Sequence, residues 1–541
     1  MTRTERMAQL LRLARLAERG NTTGRDLAEA VAQEDALADP SRRRMLQHVA
    51  AGAAAAGAGV LAPPVLAAGG ASGAALLARF GLGGPSSVAV VGAGLAGLAC
   101  ASELARNGVG TRVFEASGRV GGRVWSVRNV FPGQVAERGA EFIGAGHHAM
   151  LGYARMLGLP LEPVEAPAGL AFHHFQGRRY TEAQVLDEFR AFAAVIQDDL
   201  SALGAPSADR FGGQAELFDY MTVSEYLDLY DAGGLLRSVV RNAYLAEFGA
   251  DIDEVSAISF LRFVSGDRRS KLGPGAGGAL RVAGGNDLIA TGLAARLPQP
   301  VRFGHQLLAV KRLASGRVRL TFDTGGARVQ SDHDAVVLAL PSAVLREVAF
   351  DASVALPAWK QQAIAQSSMG QSTRMLVGFQ RPFWRSGGAN GRGDADLPYL
   401  QTTWEGNPSK AGGGGAVLAH QAGGAAARLL VAQTAQSDAA AFVAALEEVL
   451  PGATGAASRD KRGKLLVLTE NWGANPLARG AFACPRPGYF TTVAHHEAKP
   501  VGNLLFAGEH TSSFYEWQGF MEGAALSGLR AAAETLALVR A

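Results

Sequence analysis

Two hydrophobic periods alternate along this chain, and they divide it into regions of different character. Val88-Ala89-Val90-Val91 is a short uninterrupted apolar run, the pattern of a strand buried on both faces. Leu98 to Asn107 follows as a helix ended by Gly108, and Arg112-Val113-Phe114-Glu115 makes a second strand. Further on, Thr181 to Leu203 and Ser224 to Leu245 carry helical spacing. Met375 to Phe379 and Leu429 to Gln433 are strand-like. Glycine-rich stretches at 385–394 and 411–424 read as surface connections. No internal repeat is present.

The N-terminal segment has its own pattern. Ala8 to Ala38 reads as helix, with Leu10, Leu13, Leu16 and Ala17 at helical spacing. Ser41-Arg42-Arg43-Arg44-Met45-Leu46-Gln47 then precedes an uncharged Ala/Gly/Val stretch from Val49 to Ala62, and Val65-Leu66-Ala67 offers small residues suited to cleavage. Basic, apolar and small-residue regions in that order make a signal peptide, so residues 1–67 are expected to be a leader. The adjacent arginines point to the twin-arginine translocase, hence to an exported, periplasmic or secreted protein. That route carries proteins across the membrane already folded. The apolar stretch is short and rich in Ala and Gly, a weaker match to a permanent span.

At 541 residues the chain is long enough for two to four domains, and 48% hydrophobic with 18% charged residues is a globular composition. The formal charge of +4, with no basic run beyond the leader, gives no reason to expect nucleic acid as a partner. Cys100 and Cys484 form no CxxC pair, which argues against zinc or thiol-redox chemistry. Buried free thiols are expected, with a single disulfide left open if the protein is exported.

The first chemistry-bearing motif is Gly92-Ala93-Gly94-Leu95-Ala96-Gly97, placed between the first strand and the first helix. Its glycines serve a tight turn (Gly92), close approach to a pyrophosphate (Gly94) and close helix–strand packing (Gly97). The helix N-terminus turns unpaired N–H groups toward the phosphates. Glu115, 18 residues beyond Gly97, is placed to accept ribose hydroxyls. By itself this unit says dinucleotide, either NAD or FAD.

Directly after it, Arg119-Val120-Gly121-Gly122-Arg123 sets two arginines beside a double glycine, a combination that supplies charge and backbone N–H groups to a pyrophosphate. This run resembles the RxGGR segment of the flavin-dependent amine oxidase family, the superfamily of monoamine and L-amino-acid oxidases. Glu137-Arg138-Gly139-Ala140-Glu141-Phe142-Ile143-Gly144 resembles the segment that runs past the ribityl chain. Gly284-Gly285-Asn286-Asp287-Leu288 resembles the central double-glycine turn, and Val336 to Leu340 before Pro341 the strand that returns to the FAD domain. The most specific match is C-terminal. Leu504-Leu505-Phe506-Ala507-Gly508-Glu509-His510-Thr511 and Trp517-Gln518-Gly519-Phe520-Met521-Glu522-Gly523-Ala524 look like the strand and helix start that lie beneath the isoalloxazine. The resemblance implies FAD, with Gly139, Ala140, Glu141, Phe142, Gly508, Glu509, Gly519, Phe520 and Met521 beside it. No second GxGxxG-plus-strand unit occurs downstream for NAD(P)H.

By the same resemblance, Phe482 and Phe520 take the positions of two aromatic side chains that flank the amine nitrogen, where apolar faces guide a neutral amine and exclude water. Ala481 stands where some members carry the cysteine that bonds FAD, so the cofactor is expected to be non-covalent. Arg374 falls on the position of the lysine near flavin N5. Its planar, always-charged head holds water differently, which leaves oxygen or a periplasmic redox protein as electron acceptor. Related amino-acid oxidases place an arginine just after the Gly-x segment to grip a carboxylate; here Gly139 to Ile143 holds none, favouring an amine over an amino acid. Arg479 remains a substitute for that grip. His147 and His148 read as surface or capping residues.

The expected fold is α/β: a discontinuous Rossmann-like FAD-binding domain (84–149, 275–345 and 465–541) plus an α+β substrate domain (150–274 and 346–464). The expected function is FAD-dependent oxidative deamination of a primary or secondary amine, giving imine or aldehyde, ammonia and hydrogen peroxide. The alternatives are an L-amino-acid oxidase and an amine dehydrogenase. From another class, a flavin-binding assembly protein without turnover is also open.

Overall fold

A computed structural model describes residues 87–164, 168–264, 279–407, 415–430, 434–512 and 517–540. The leader, its arginines and the apolar stretch lie outside the described residues. Among the described residues no helix is long and apolar enough to cross a membrane.

A four-stranded parallel sheet organises the first body, in the order Thr111–Phe114, Val88–Val91, Ala335–Leu338, Leu504–Phe506. Its three inner and C-terminal strands are buried along their whole length, which is why they are continuous Val, Ala, Leu and Phe. One face packs on helices Leu95–Arg106 and Met521–Arg540. These two helices approach closely: a Cβ at Gly528 would lie 2.2 Å from the Ala96 carbonyl oxygen. The other face is covered by an antiparallel meander, Gln306–Arg312, Val318–Asp323 and Arg328–His333. Val318–Asp323 alternates buried and half-buried residues, so Val318, Leu320 and Phe322 turn inward.

The first helix begins at Leu95, three residues before the expected Leu98, because Gly94 is extended and caps it. Gly108 follows it with φ +76°.

The second body centres on a seven-stranded sheet, in the order Val467–Asn471, Ser372–Phe379, Ala416–Gly423, Leu400–Glu405, Ala389–Leu397, Leu170–Phe175, Arg178–Tyr180. A helical layer, Glu182–Leu203 through Ala257–Val264, shares its own apolar core around Tyr226, Tyr244 and Phe260. Capping boxes at Thr181 and Thr222 start two of its helices.

Several expectations are corrected here. Ser224 to Leu245 is two helices, Val223–Leu229 and Gly234–Phe248, separated by a turn in which Asp231 takes φ +51°. The glycine-rich stretches are not surface connections throughout. Ala389–Leu397 and Ala416–Gly423 are strands, the latter wholly buried, while 411–414 lie outside the described residues. Glycine is required there by close approach: a Cβ at Gly393 would sit 2.1 Å from the Phe172 ring. Leu429 ends the helix Gly424–Leu429 instead of opening a strand, and 431–433 are not described.

The chain also changes body at different points. Helix His148–Leu157 buries Met150 and Ala154 against the nucleotide-side helices, and Leu161–Val164 pairs with Ala279–Val282. The expected boundary at 149 therefore moves beyond Val164. Conversely, Val467–Asn471, assigned to the last FAD-domain piece, pairs with Ser372–Phe379 in the seven-stranded sheet.

Candidate active site

A cavity of about 420 Å³ runs between the two bodies, and its lining includes every expected site residue except Gly97. At one end lies the glycine turn. A Cβ at Gly97 would meet the Gly92 carbonyl oxygen at 1.9 Å, so Gly97 serves helix–strand packing from behind the cavity. A Cβ at Gly92 would meet Ala339 O at 2.5 Å, whereas Gly94 faces open space. The helix that starts here has no side-chain cap and no acid in its first turn. Open space before uncapped N–H groups fits a pyrophosphate. Glu115 closes the turn: Ala93 N–H donates to its Oε2 at 2.8 Å, and Ser117 N–H and Oγ–H donate to its Oε1 at 2.8 Å.

The RxGGR segment bends with Gly121 at φ +100° and Gly122 at φ +57°. Its arginines are less available than expected. Arg119 lies over the Trp125 ring at 4.0 Å and donates to Gly122 O at 2.6 Å. Arg123 donates to Ala481 O at 2.6 Å and to Glu509 Oε1 at 2.9 Å. Both line the cavity, but as braces of its wall.

The 139–142 segment is held by backbone and by Asn286. Ala140 N–H donates to Arg123 O, and a Cβ at Gly139 would collide with that same oxygen. Asn286 Nδ2 donates to Glu141 O at 2.7 Å and Ala140 O at 3.3 Å, while its N–H donates to Glu137 Oε1 at 2.9 Å. Burial raises the Glu137 carboxyl to about 7 against hydrogen bonds from Asn286 and Ser126 that favour its charged form.

Arg374 rises from the Ser372–Phe379 strand with its guanidinium buried. Nη1 donates to Gly139 O, Glu137 O and Glu141 Oε2 (3.2 Å), Nη2 donates to Gln421 Oε1 at 3.3 Å, and the group lies 4.9 Å from the Trp404 ring. Trp404 Nε1–H also donates to Glu141 Oε2 at 3.0 Å. Burial pulls Arg374 below the usual arginine range and lifts Glu141 above the usual carboxylate range, and each partner opposes the other's shift.

At the far end Phe482 packs with Trp125, Trp472 and Ala481, and Phe520 is buried. Phe520, Trp517 and His147 meet edge to face, at centroid distances of 5.4 Å (Phe520–Trp517), 5.7 Å (Phe520–His147) and 4.9 Å (His147–Trp517). His147 is therefore not a surface residue. It is 1% exposed, neither ring nitrogen has a hydrogen-bond partner among the described residues, and burial lowers it to about 4.

With this geometry in view, residues 95–536 match the family of flavin containing amine oxidoreductases. The chain belongs to that family. AofH, an inferred flavin-containing monoamine oxidase of Mycobacterium tuberculosis, is 30% identical over 466 residues, covering 84% of this chain and 97% of its own length. An L-amino-acid oxidase of Siganus canaliculatus is 25% identical over 477 residues, covering 82% and 84%. Cyclohexylamine oxidase from Brevibacterium oxydans shares the fold, with a TM-score of 0.73 at 22% identity over 85% of this chain and all of that one. Putrescine oxidase gives 0.70 at 22%, over 84% and 99%.

As a family member the protein is an oxidoreductase acting on amines, with FAD as cofactor, a small-molecule amine as substrate and an oxidant as second partner. FAD is held without a covalent bond. Ala481 lines the cavity, whereas Cys100 and Cys484 are buried, form no disulfide and lie outside its lining.

Some lining residues escaped the sequence. His305, Gln306 and Leu307 stand beside Phe114 and Glu115, with His305 5.5 Å from the Phe114 ring. Trp125, Ser372, Gln421, Asn475 and His510 also face the cavity. No local motif marks the 305–307 segment; backbone bonding does, since Glu115 N–H donates to Arg302 O and His305 N–H to Glu115 O. His510 lay inside a recognised motif without an assigned role.

Proposed function

We propose that this chain oxidises an apolar primary or secondary amine to an imine, which water converts to a carbonyl compound and ammonia or a smaller amine. Bound FAD would supply the two-electron oxidation of the amine, with oxygen as the acceptor that becomes hydrogen peroxide. The protein orients a neutral amine between Phe482 and Phe520 and excludes water. The observation that carries this reading is the commitment of every charged lining side chain. Glu115 is taken by Ala93 and Ser117, Glu141 by Arg374 and Trp404, and Glu509 by Arg123 and backbone N–H groups.

A substrate carboxylate therefore meets no arginine without prior partners, and a second ammonium meets no carboxylate without them. Arg479, the alternative carboxylate grip, lies outside the lining and pairs with Glu347 at 2.6 Å. Export through the twin-arginine translocase belongs to the same proposal, resting on Ser41 to Ala67. A second reading, a dehydrogenase passing electrons to a redox protein, is favoured by Arg374, whose donors are occupied by Glu137 O, Gly139 O, Glu141 and Gln421.

The test is anaerobic bleaching of the yellow protein by a panel of amines and L-amino acids, followed by air. Bleaching by an apolar amine with prompt return of colour and peroxide is the expected result. Slow return selects the dehydrogenase. Bleaching by amino acids alone overturns the substrate class, and no bleaching leaves a flavoprotein without this activity.

A further inference from the structure

The two phenylalanine-bearing segments are far apart in sequence and belong to different loops, yet one carboxylate touches the backbone beside both. Glu509 Oε1 accepts from Ala483 N–H at 3.0 Å, immediately after Phe482, and Oε2 accepts from Gly519 N–H, immediately before Phe520. Arg123 completes the arrangement. Its Nη1 donates to Glu509 Oε1 at 2.9 Å and to Ala481 O at 2.6 Å, immediately before Phe482. Phe482 is thus gripped on both sides, by Arg123 through the preceding carbonyl and by Glu509 through the following N–H. Phe520 is gripped on one side by the same carboxylate. Glu509 is 5% exposed, so water does not compete for these bonds.

We propose that Arg123 and Glu509 are positioning residues that set the separation of Phe482 and Phe520, and with it the placement of the amine, beyond any part they play in holding FAD. This rests on the reading of the two phenylalanines as the amine site. The physical argument is geometric. Each phenyl ring takes its position from its backbone, and a hydrogen bond to a charged, buried carboxylate is stronger and shorter than one to a neutral group. Glu509 joins both backbones to a single atom pair, so a change in either bond moves one ring relative to the other. Near the reacting carbon, a displacement of about 1 Å is enough to slow a step roughly 100-fold.

Glu509→Gln keeps the shape and one acceptor oxygen, and loses the ion pair and one backbone bond. Anaerobic stopped-flow bleaching separates the rate at saturating amine from the amine dissociation constant, and cumylamine, which lacks an α-hydrogen, reports binding through the flavin difference spectrum without turnover. The expected result is retained FAD, a saturating rate lowered about 30- to 100-fold, and an altered cumylamine spectrum. Arg123→Lys, which keeps a cation within reach of Glu509, should recover most of the rate that Arg123→Met loses. Phe482→Leu combined with Glu509→Gln should cost less than the product of the single changes, because both act on the same wall.

Unchanged rate and spectrum in Glu509→Gln, multiplicative effects in the double variant, or loss of FAD from both Glu509→Gln and Arg123→Lys would each overturn the positioning role. Failure of the functional reading shows differently: the unaltered protein would then respond to neither the amine panel nor cumylamine.

Discussion

The two ends of the cavity are built by different means. At the nucleotide end the shape comes from backbone: Gly92 and Gly97 let a strand, a turn and a helix approach within collision distance of a single Cβ, while Gly94 keeps the space before the helix open. At the amine end it comes from side chains joining distant pieces of chain, Arg123 to Glu509 across 386 residues and Arg374 to Glu141 across 233. The first construction is local and tolerates no added atom. The second is global, and depends on charges that remain paired after burial.

The sharpest way to break the nucleotide end is Gly97→Ala. Its methyl group would lie 1.9 Å from Gly92 O, a backbone atom in the turn itself. We expect no yellow holoprotein, read as the ratio of flavin to protein absorbance after purification. Retention of flavin at the ordinary ratio would show that the turn yields more than its packing implies.

At the other end, Arg374→Met leaves Glu141, 4% exposed, with Trp404 Nε1–H and, among the described residues, no cation within hydrogen-bond reach. Breaking a buried pair from one side costs about 3–5 kcal/mol, so thermal unfolding should fall by several degrees, with Arg374→Lys falling less. An unchanged midpoint would mean that Glu141 takes up a proton without penalty.

Glu137 lies behind the wall, outside the cavity lining, with its carbonyl oxygen accepting from Arg374, and its effect is smaller and dependent on pH. Burial raises its folded value to about 7, above the 4.5 of an ordinary carboxyl. The folded state thus holds a proton that the unfolded chain releases first. The associated stability is fully present below about pH 4.5 and is lost as pH rises toward 7. Glu137→Gln should flatten that window by about 3 kcal/mol in denaturant titrations at pH 4.5 and pH 7.5. Equal slopes in both proteins would place the proton elsewhere.

Much of the nucleotide end was legible beforehand because its information is contiguous. Strand, glycines, helix, strand and Glu115 fall in order within Val88–Glu115, and each has one steric or electrostatic job. The C-terminal motif gave Glu509, Phe520 and Met521 by resemblance in the same way. What was misread depended on packing. The glycines of 389–397 carry the composition of a loop, and the Phe172 and Trp384 rings lying against Gly393 and Gly391 show why glycine stands in a strand there; Gly423, at the end of 416–423, lies against the Leu245 carbonyl in the same way. His147 does stand at the N-cap position of His148–Leu157, without a side-chain cap bond, but nothing in its neighbours announces that it is buried. Its edge contacts come from Trp517 and Phe520, more than 300 residues away in sequence.

The sequence by itself determined a βαβ turn suited to a dinucleotide, because the steric demands of that turn are met by residues a few positions apart. It also placed Arg374 and the two phenylalanines by motif. Only the tertiary structure decided what those residues are tied to: Arg374 to Glu141, and both phenylalanine segments to one carboxylate at Glu509. Such ties depend on which side chains are buried together, and burial is a property of the packed chain that no local spacing encodes.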